Sequence, residues 1–143
     1  MYGILKGSVD VVPGLGDEAN WYKPIYYRKN NIKLSRYDLK KLDIFACSVY
    51  VWNRETNYKL MHEIKKENPN CVTVVGGPEP YYKDKEFFNK NPQIDIVVKQ
   101  EAEYSFPKIV EEVVNGTRNF NEITGLFIKD IGDTGPGILR RDF

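Results

Sequence analysis

The chain has 143 residues, 41% of them hydrophobic, with 21 basic and 20 acidic side chains and a net charge of +1. That length fits one domain with a core of its own, and the composition excludes a disordered polymer. The even charge leaves no footprint for nucleic acid, and no apolar run or charged-then-apolar leader marks a membrane span or export signal, so a soluble, cytoplasmic protein is expected.

Along the chain, the first forty residues are irregular. MYGILKGSVDVV fits a short helix or a strand, with Ser8–Val12 as the only strand candidate before residue 40. The stretch NWYKPIYYRKN is aromatic and without period, and SRYDLKKL fits a short helix. Three apolar runs then read as strands buried on both faces: DIFACS (43–48), CVTVV (71–75) and IDIVV (94–98). Between the first two, Asn53 stands as N-cap to a helix that carries Tyr58, Met61 and Ile64 on one face, and Asn68-Pro69 ends it. KDKEFFNKNP supports a short helix. After the third strand, EYSFPKIVEEVVNG sets Phe106, Ile109, Val110, Val113 and Val114 at helical spacing, with Gly116 as its stop. ITGLFIKD (123–130) reads as a last, edge strand, and GDTGPGILRRDF (132–143) as a linker leaving a domain that spans 1–131. Strands alternating with helices imply right-handed crossovers and a mostly parallel, doubly wound α/β sheet.

Ligands in such sheets bind outside the carboxyl ends of the strands. Three loops leave those ends: SVYVWN, GGPEPYY and KQEAEYS. They offer a hydroxyl and two aromatics (Ser48, Tyr50, Trp52), the bare backbone of Gly76 and Gly77, and Gln100 with the carboxylates of Glu101 and Glu103. Apolar walls with a few polar groups describe a small-molecule or cofactor site, whereas each loop alone is what any turn requires.

Other motifs carry less. Gly14-Leu15-Gly16-Asp17-Glu18-Ala19 matches a dinucleotide fingerprint in letters only. Asp17 and Glu18 would repel a pyrophosphate, and Pro24 would interrupt the helix needed to hold it. His62, the only histidine, falls mid-helix among charged residues, which supports neither a catalytic triad nor a histidine-held metal. Lys99 at a strand end is what a phospho-acceptor domain carries, without that domain's acidic cluster. Cys47 and Cys71 lack metal-ligand spacing and read as small core residues. Glu101 and Glu103 suit the positive end of a helix better than an acid–base pair.

IFACSVYVWNRETNYKLMHEIKKENPNCVTVVGGPEPYY, then IDIVVKQEAEYSFPKIVEEV and ITGLFIKD, resembles the N-terminal cobalamin-binding domain of cobalamin-dependent radical S-adenosylmethionine enzymes. The "GGPEP" loop, the "xDIVVxxExE" segment and the "ITGL" strand follow one another in that family over residues 40–130. The resemblance implies a flavodoxin-like three-layer αβα sandwich whose first strand would lie before residue 1. It implies cobalamin held by Ser48, Val49, Tyr50, Val51, Trp52, Gly76, Gly77, Pro78, Glu79, Gln100, Glu101 and Glu103, with the glycines leaving room for a flat ring. Gln100 and Ala102 stand where the family's acidic loop has glycines, and Ala102 would narrow that loop's backbone. No DxHxxG motif provides a lower ligand for cobalt. No CxxxCxxC triplet is present, so the iron–sulfur cluster and S-adenosylmethionine would belong to an absent downstream domain, and no catalysis is expected from this chain alone. The alternative from another class is an interaction domain that keeps the fold and has lost the cofactor.

Overall fold

The structure, a computed structural model, describes residues 6, 8–22, 38–78 and 85–137. Five strands form one sheet in the order β1 (Ile44–Ser48), β2 (Val72–Gly76), β3 (Ile96–Val98), β4 (Leu126–Ile128) and β5 (Gly132–Asp133). The first three are parallel, with Ile44 opposite Val72 and Val74 opposite Ile96. The last two run antiparallel, Ile96 facing Ile128 and Ile128 facing Gly132. Helices α2 (Arg54–Glu67), α3 (Glu86–Lys90) and α4 (Ala102–Asn115) fill the connections, and a four-residue helix α1 (Leu15–Glu18) precedes them.

Two faces of the sheet bury two separate clusters, which makes the three layers. Val72, Val74, Ile96 and Val98 point to one side and pack with Ile109 of α4. Val75 and Val97 point to the other and pack with Met61 of α2 and Phe88 of α3. This period-2 split of an unbroken apolar run is what a strand covered on both faces requires. The N-terminal segment adds to the α4 side, where Val9 and Leu15 pack on Phe106 and Val110. The expected flavodoxin-like α/β class is the one observed.

Four expectations change in detail. β1 is not buried on both faces: its residues are half-buried and Ala46 is exposed, because β1 is the sheet's edge among the described residues. Ser8–Val12 is not a strand, since Ser8, Val9 and Asp10 are helical and a turn follows. That also removes the strand a dinucleotide loop would need before Gly14. β4 is not an edge strand, because β5 covers it. Gly132–Asp133, expected in the linker, form that covering strand, and Thr134 N donates to Leu126 O at 2.9 Å. The stretch 23–30 of NWYKPIYYRKN, residues 1–5 and 7 of the first segment, residues 35–37 and the tail from 138 lie outside the described residues.

At the amino ends of the strands a polar cluster ties the layers together. Asp95 accepts from Lys65 Nζ at 2.5 Å and from Thr73 N at 3.0 Å, while the Thr73 hydroxyl donates to Gln93 O at 2.6 Å. Lys65 also donates to Cys71 O at 2.6 Å. Both charges are partly exposed, so the pair contributes less than a buried one would. Asp95→Ala removes the charge partner of Lys65, which keeps its carbonyl acceptor, and leaves Thr73 N without its acceptor, and is expected to cost roughly 2 kcal/mol in a urea unfolding curve. The same variant should leave the opposite, carboxyl edge of the sheet and any ligand bound there unaffected.

Candidate functional site

The carboxyl ends of β1, β2 and β3 converge. Ser48 lies opposite Gly76 in register, and beyond the ladder Val49 N donates to Gly76 O at 2.7 Å. Gly77 turns the chain away with φ +97°, and a Cβ there would lie 2.8 Å from Val49 O and 3.1 Å from Val49 N. The two loops are therefore clasped backbone to backbone. The reason for glycine at 77 differs from the expected one: its missing side chain makes room for Val49 of this chain. Gly76 is the position with open space, where a Cβ would touch only Val98 Cβ at 4.0 Å.

The β1 loop is held from below by asparagines. Asn53 stands at the N-cap of α2, as expected, but its side chain makes no cap bond; it accepts from Tyr50 N at 2.8 Å and donates to Ser48 O at 3.1 Å. Asn57, 2% exposed, donates to the same carbonyl at 3.3 Å. Asn57 shares the buried helix face of Leu60, Met61 and Ile64, so a polar residue inside an apolar stripe was the signal available in the sequence. The loop these bonds fix presents Tyr50 and Trp52 as a parallel stack, ring centres 4.7 Å apart and planes 7° from parallel. Trp52 is 79% and Val51 75% exposed. Large apolar groups so exposed beside a strand end are what a binding surface offers.

At the end of β3, Gln100 takes φ +57°, the left-handed region that glycine occupies at little cost. This is where the acidic loop's departure from glycine shows. Ala102, by contrast, is the first residue of α4 and its methyl sits in ordinary helical backbone. Glu101 is the residue before the helix and Glu103 lies in its first turn, where the helix dipole favours carboxylates. The loop is pinned from the β4–β5 side. Lys99 N donates to Gly125 O at 2.8 Å, and the Lys99 ammonium pairs with Asp133 and lies 4.6 Å from the centre of the Phe127 ring. That pairing holds the Asp133 carboxyl below its ordinary value.

Of the expected site residues, Ser48, Val49, Gly76 and Gly77 form the clasp, half-buried Tyr50 with exposed Val51 and Trp52 its rim, and Gln100, Glu101 and Glu103 the third loop. Pro78 is exposed just past the clasp, and Glu79 lies outside the described residues. His62 sits two turns into α2, about 12 Å of helix from its start, in a surface groove with Tyr58 and Gln93. The cysteines are free; burial pushes Cys47 up to about 12 and Cys71 up to about 11, so neither is a ready thiolate. Ser105 was not singled out by sequence, and its buried hydroxyl lines a cleft beside Glu101.

Residues 34–110, over half of the chain, match the family of B12 binding domains. The chain belongs to that family. Its place as a cobalamin-binding module follows, and the convergent strand ends are compatible with a flat ring: bare backbone at Gly76, an aromatic rim and few fixed charges. Two similar proteins are much longer. The chain is 22% identical over 135 residues, 94% of its length, to 2-(S-pantetheinyl)-carbapenam-3-carboxylate methyltransferase of Streptantibioticus cattleyicolor, of which it spans 20%. It is 28% identical over 87 residues, 61% of its length, to the cobalamin-dependent radical SAM methyltransferase TokK of Streptomyces tokunonensis, of which it spans 13%. Among the described residues no helix is long and apolar enough to cross a membrane.

Proposed function

We propose that this module holds cobalamin with the corrin ring across the carboxyl ends of β1, β2 and β3. The observation that carries the reading is the meeting of bare backbone at Gly76 with the stack of half-buried Tyr50 on exposed Trp52 at a clasped edge. Gly76 would admit the ring to backbone contact, the aromatic pair would bound it, and the Asn53–Asn57 bonds to Ser48 O would keep that rim in place. Gln100 and Glu101 would meet the ring's polar arms from the third strand end. No histidine is near this edge, so the residues of the chain would bind and orient the ring and leave the cobalt without an imidazole from below.

Bound cobalamin supplies a cobalt centre that can carry a methyl group. We place the module in a methyltransferase of the radical S-adenosylmethionine kind, working in the cytoplasm, with the partner radical domain on another part of the protein. Cys47 and Cys71 are unsuited to hold that domain's iron–sulfur cluster: Cys47 lies in β1, Cys71 is buried just before β2, both thiols are raised, and the chain has no third cysteine.

Titrating the 143-residue chain with hydroxocobalamin, followed by visible absorption and calorimetry, should give saturable one-to-one binding. A flat titration at high micromolar protein would reject the reading and favour an interaction domain that has lost its cofactor.

A further inference from the structure

Gln100 takes φ +57° at the end of β3, where glycine would sit without strain, and its exposed side chain makes no hydrogen bond among the described residues. A long polar residue kept in the left-handed region without a bond of its own calls for a function. The opposite choice is made at residue 137. Gly137 lies outside the positive-φ region, so its backbone does not require glycine. A Cβ there would lie 2.9 Å from Gln100 Oε1, while the next atoms, Lys99 O at 3.4 Å and Gly125 Cα at 3.6 Å, are at ordinary contact distance. The missing side chain at 137 therefore leaves room for the Gln100 carboxamide.

Residues 133–137 are held against the third strand-end loop largely by backbone. Gly125 O accepts from Lys99 N at 2.8 Å, Gly125 N donates to Gly135 O at 3.1 Å, and Thr134 N donates to Leu126 O at 2.9 Å. Asp133 accepts from Gly135 N at 2.8 Å and pairs with the Lys99 ammonium. Gly125 has no space for a side chain either, since a Cβ would lie 2.8 Å from Gly137 Cα. Pro136 fixes one φ between the two contact points. The stretch that reads as linker in sequence is thus packed on the start of β4 and on the loop of Lys99 and Gln100, with the Gln100 amide resting against Gly137.

We propose that Gly137 is a positioning residue for the cofactor edge, seating the Gln100 carboxamide so that it hydrogen-bonds one amide arm of the corrin ring. This inference rests on the placement of cobalamin at these strand ends. An amide both donates and accepts, and the arms at a corrin's rim are carboxamides, so the two groups pair without bringing a charge out of water. Displaced from Gly137, the same flexible side chain would have to be ordered at the moment of binding, which costs affinity.

The test is a double-mutant cycle in which hydroxocobalamin is titrated into the unsubstituted chain, Gln100→Gly, Gly137→Ala and the double variant. Gln100→Gly is expected to raise Kd about three- to tenfold, the loss of one neutral hydrogen bond. Gly137→Ala should raise Kd about threefold or more by pushing the amide off its seat. Once residue 100 is glycine, the same methyl meets no side chain, and the double variant should bind within about twofold of Gln100→Gly. Additive losses, or an unchanged Kd in Gly137→Ala, would overturn this inference alone. Without ligand neither single variant should melt more than about 3 °C below the unsubstituted chain, and a larger fall in either would assign the contact to the fold and overturn the inference too. Absence of binding by the unsubstituted chain would instead reject the placement of the cofactor, and this role with it.

Discussion

Gly77→Ala is expected to destabilise the fold by about 3 kcal/mol, lowering the melting temperature by roughly 10 °C in a chain of this size. Two causes add. At φ +97° an L-residue is strained, and the left-handed region already costs roughly 1–2 kcal/mol for a side chain with a Cβ. The new methyl would also lie 2.8 Å from Val49 O, a backbone atom fixed by the Val49 N to Gly76 O bond and unable to rotate aside. Overpacking of that kind costs about 1–3 kcal/mol, and the gain from a stiffer unfolded chain, about 0.5–1 kcal/mol, offsets only part of it. Differential scanning calorimetry without ligand reads the effect. A drop under about 2 °C would mean that the two loops are not clasped as described. Weakened cobalamin binding in this variant would follow from the disrupted edge, and by itself would say nothing of a contact between Gly77 and the ring.

How much of this could be read from residues alone follows the range of the interactions involved. β2 and β3 were legible because CVTVV and IDIVV are buried on both faces, and such runs name themselves by composition. DIFACS looks the same in sequence, but exposure of Ala46 depends on which strand lies alongside, a fact of topology that no local pattern encodes. β5 is two residues long and defined by bonds to β4 across the turn at Lys129–Ile131, so a Gly-rich stretch there reads as linker. Asn53 sits where a cap belongs and instead serves Ser48 and Tyr50, because a strand-end loop competes for the same side chain.

The site shows the same division. That three loops share one edge was legible from strand order and from the family's motifs. Which glycine has open space before it was not, since Gly76 and Gly77 differ in backbone conformation and in what stands across from them, neither of which two adjacent glycines reveal in sequence. The third loop makes the point again: strain was expected at Ala102 and falls on Gln100, one residue before the helix's cap. Ser105 gave no local signal at all, because an unpaired hydroxyl is defined by absent neighbours.

If cobalamin lies where we propose, Gly76 is the position at which fold and cofactor separate. Its backbone is ordinary strand, and a Cβ would meet nothing nearer than Val98 Cβ at 4.0 Å, so Gly76→Ala should leave the melting temperature unchanged or raise it by a few degrees. A macrocycle lying in van der Waals contact with that backbone, about 3.5–4 Å away, has no room for the same methyl. Gly76→Ala should weaken cobalamin about tenfold, and Gly76→Leu should weaken it beyond about a hundredfold, since each further carbon must displace the ring or bend the strand. Gly77→Ala would show the reverse weighting, a large loss of stability without ligand and a binding defect that cooling or stabilising solutes partly restore. The pair of variants distinguishes a glycine kept for the cofactor from a glycine kept for the chain. Unchanged cobalamin affinity in Gly76→Leu, with the melting temperature intact, would remove the ring from the β2 end.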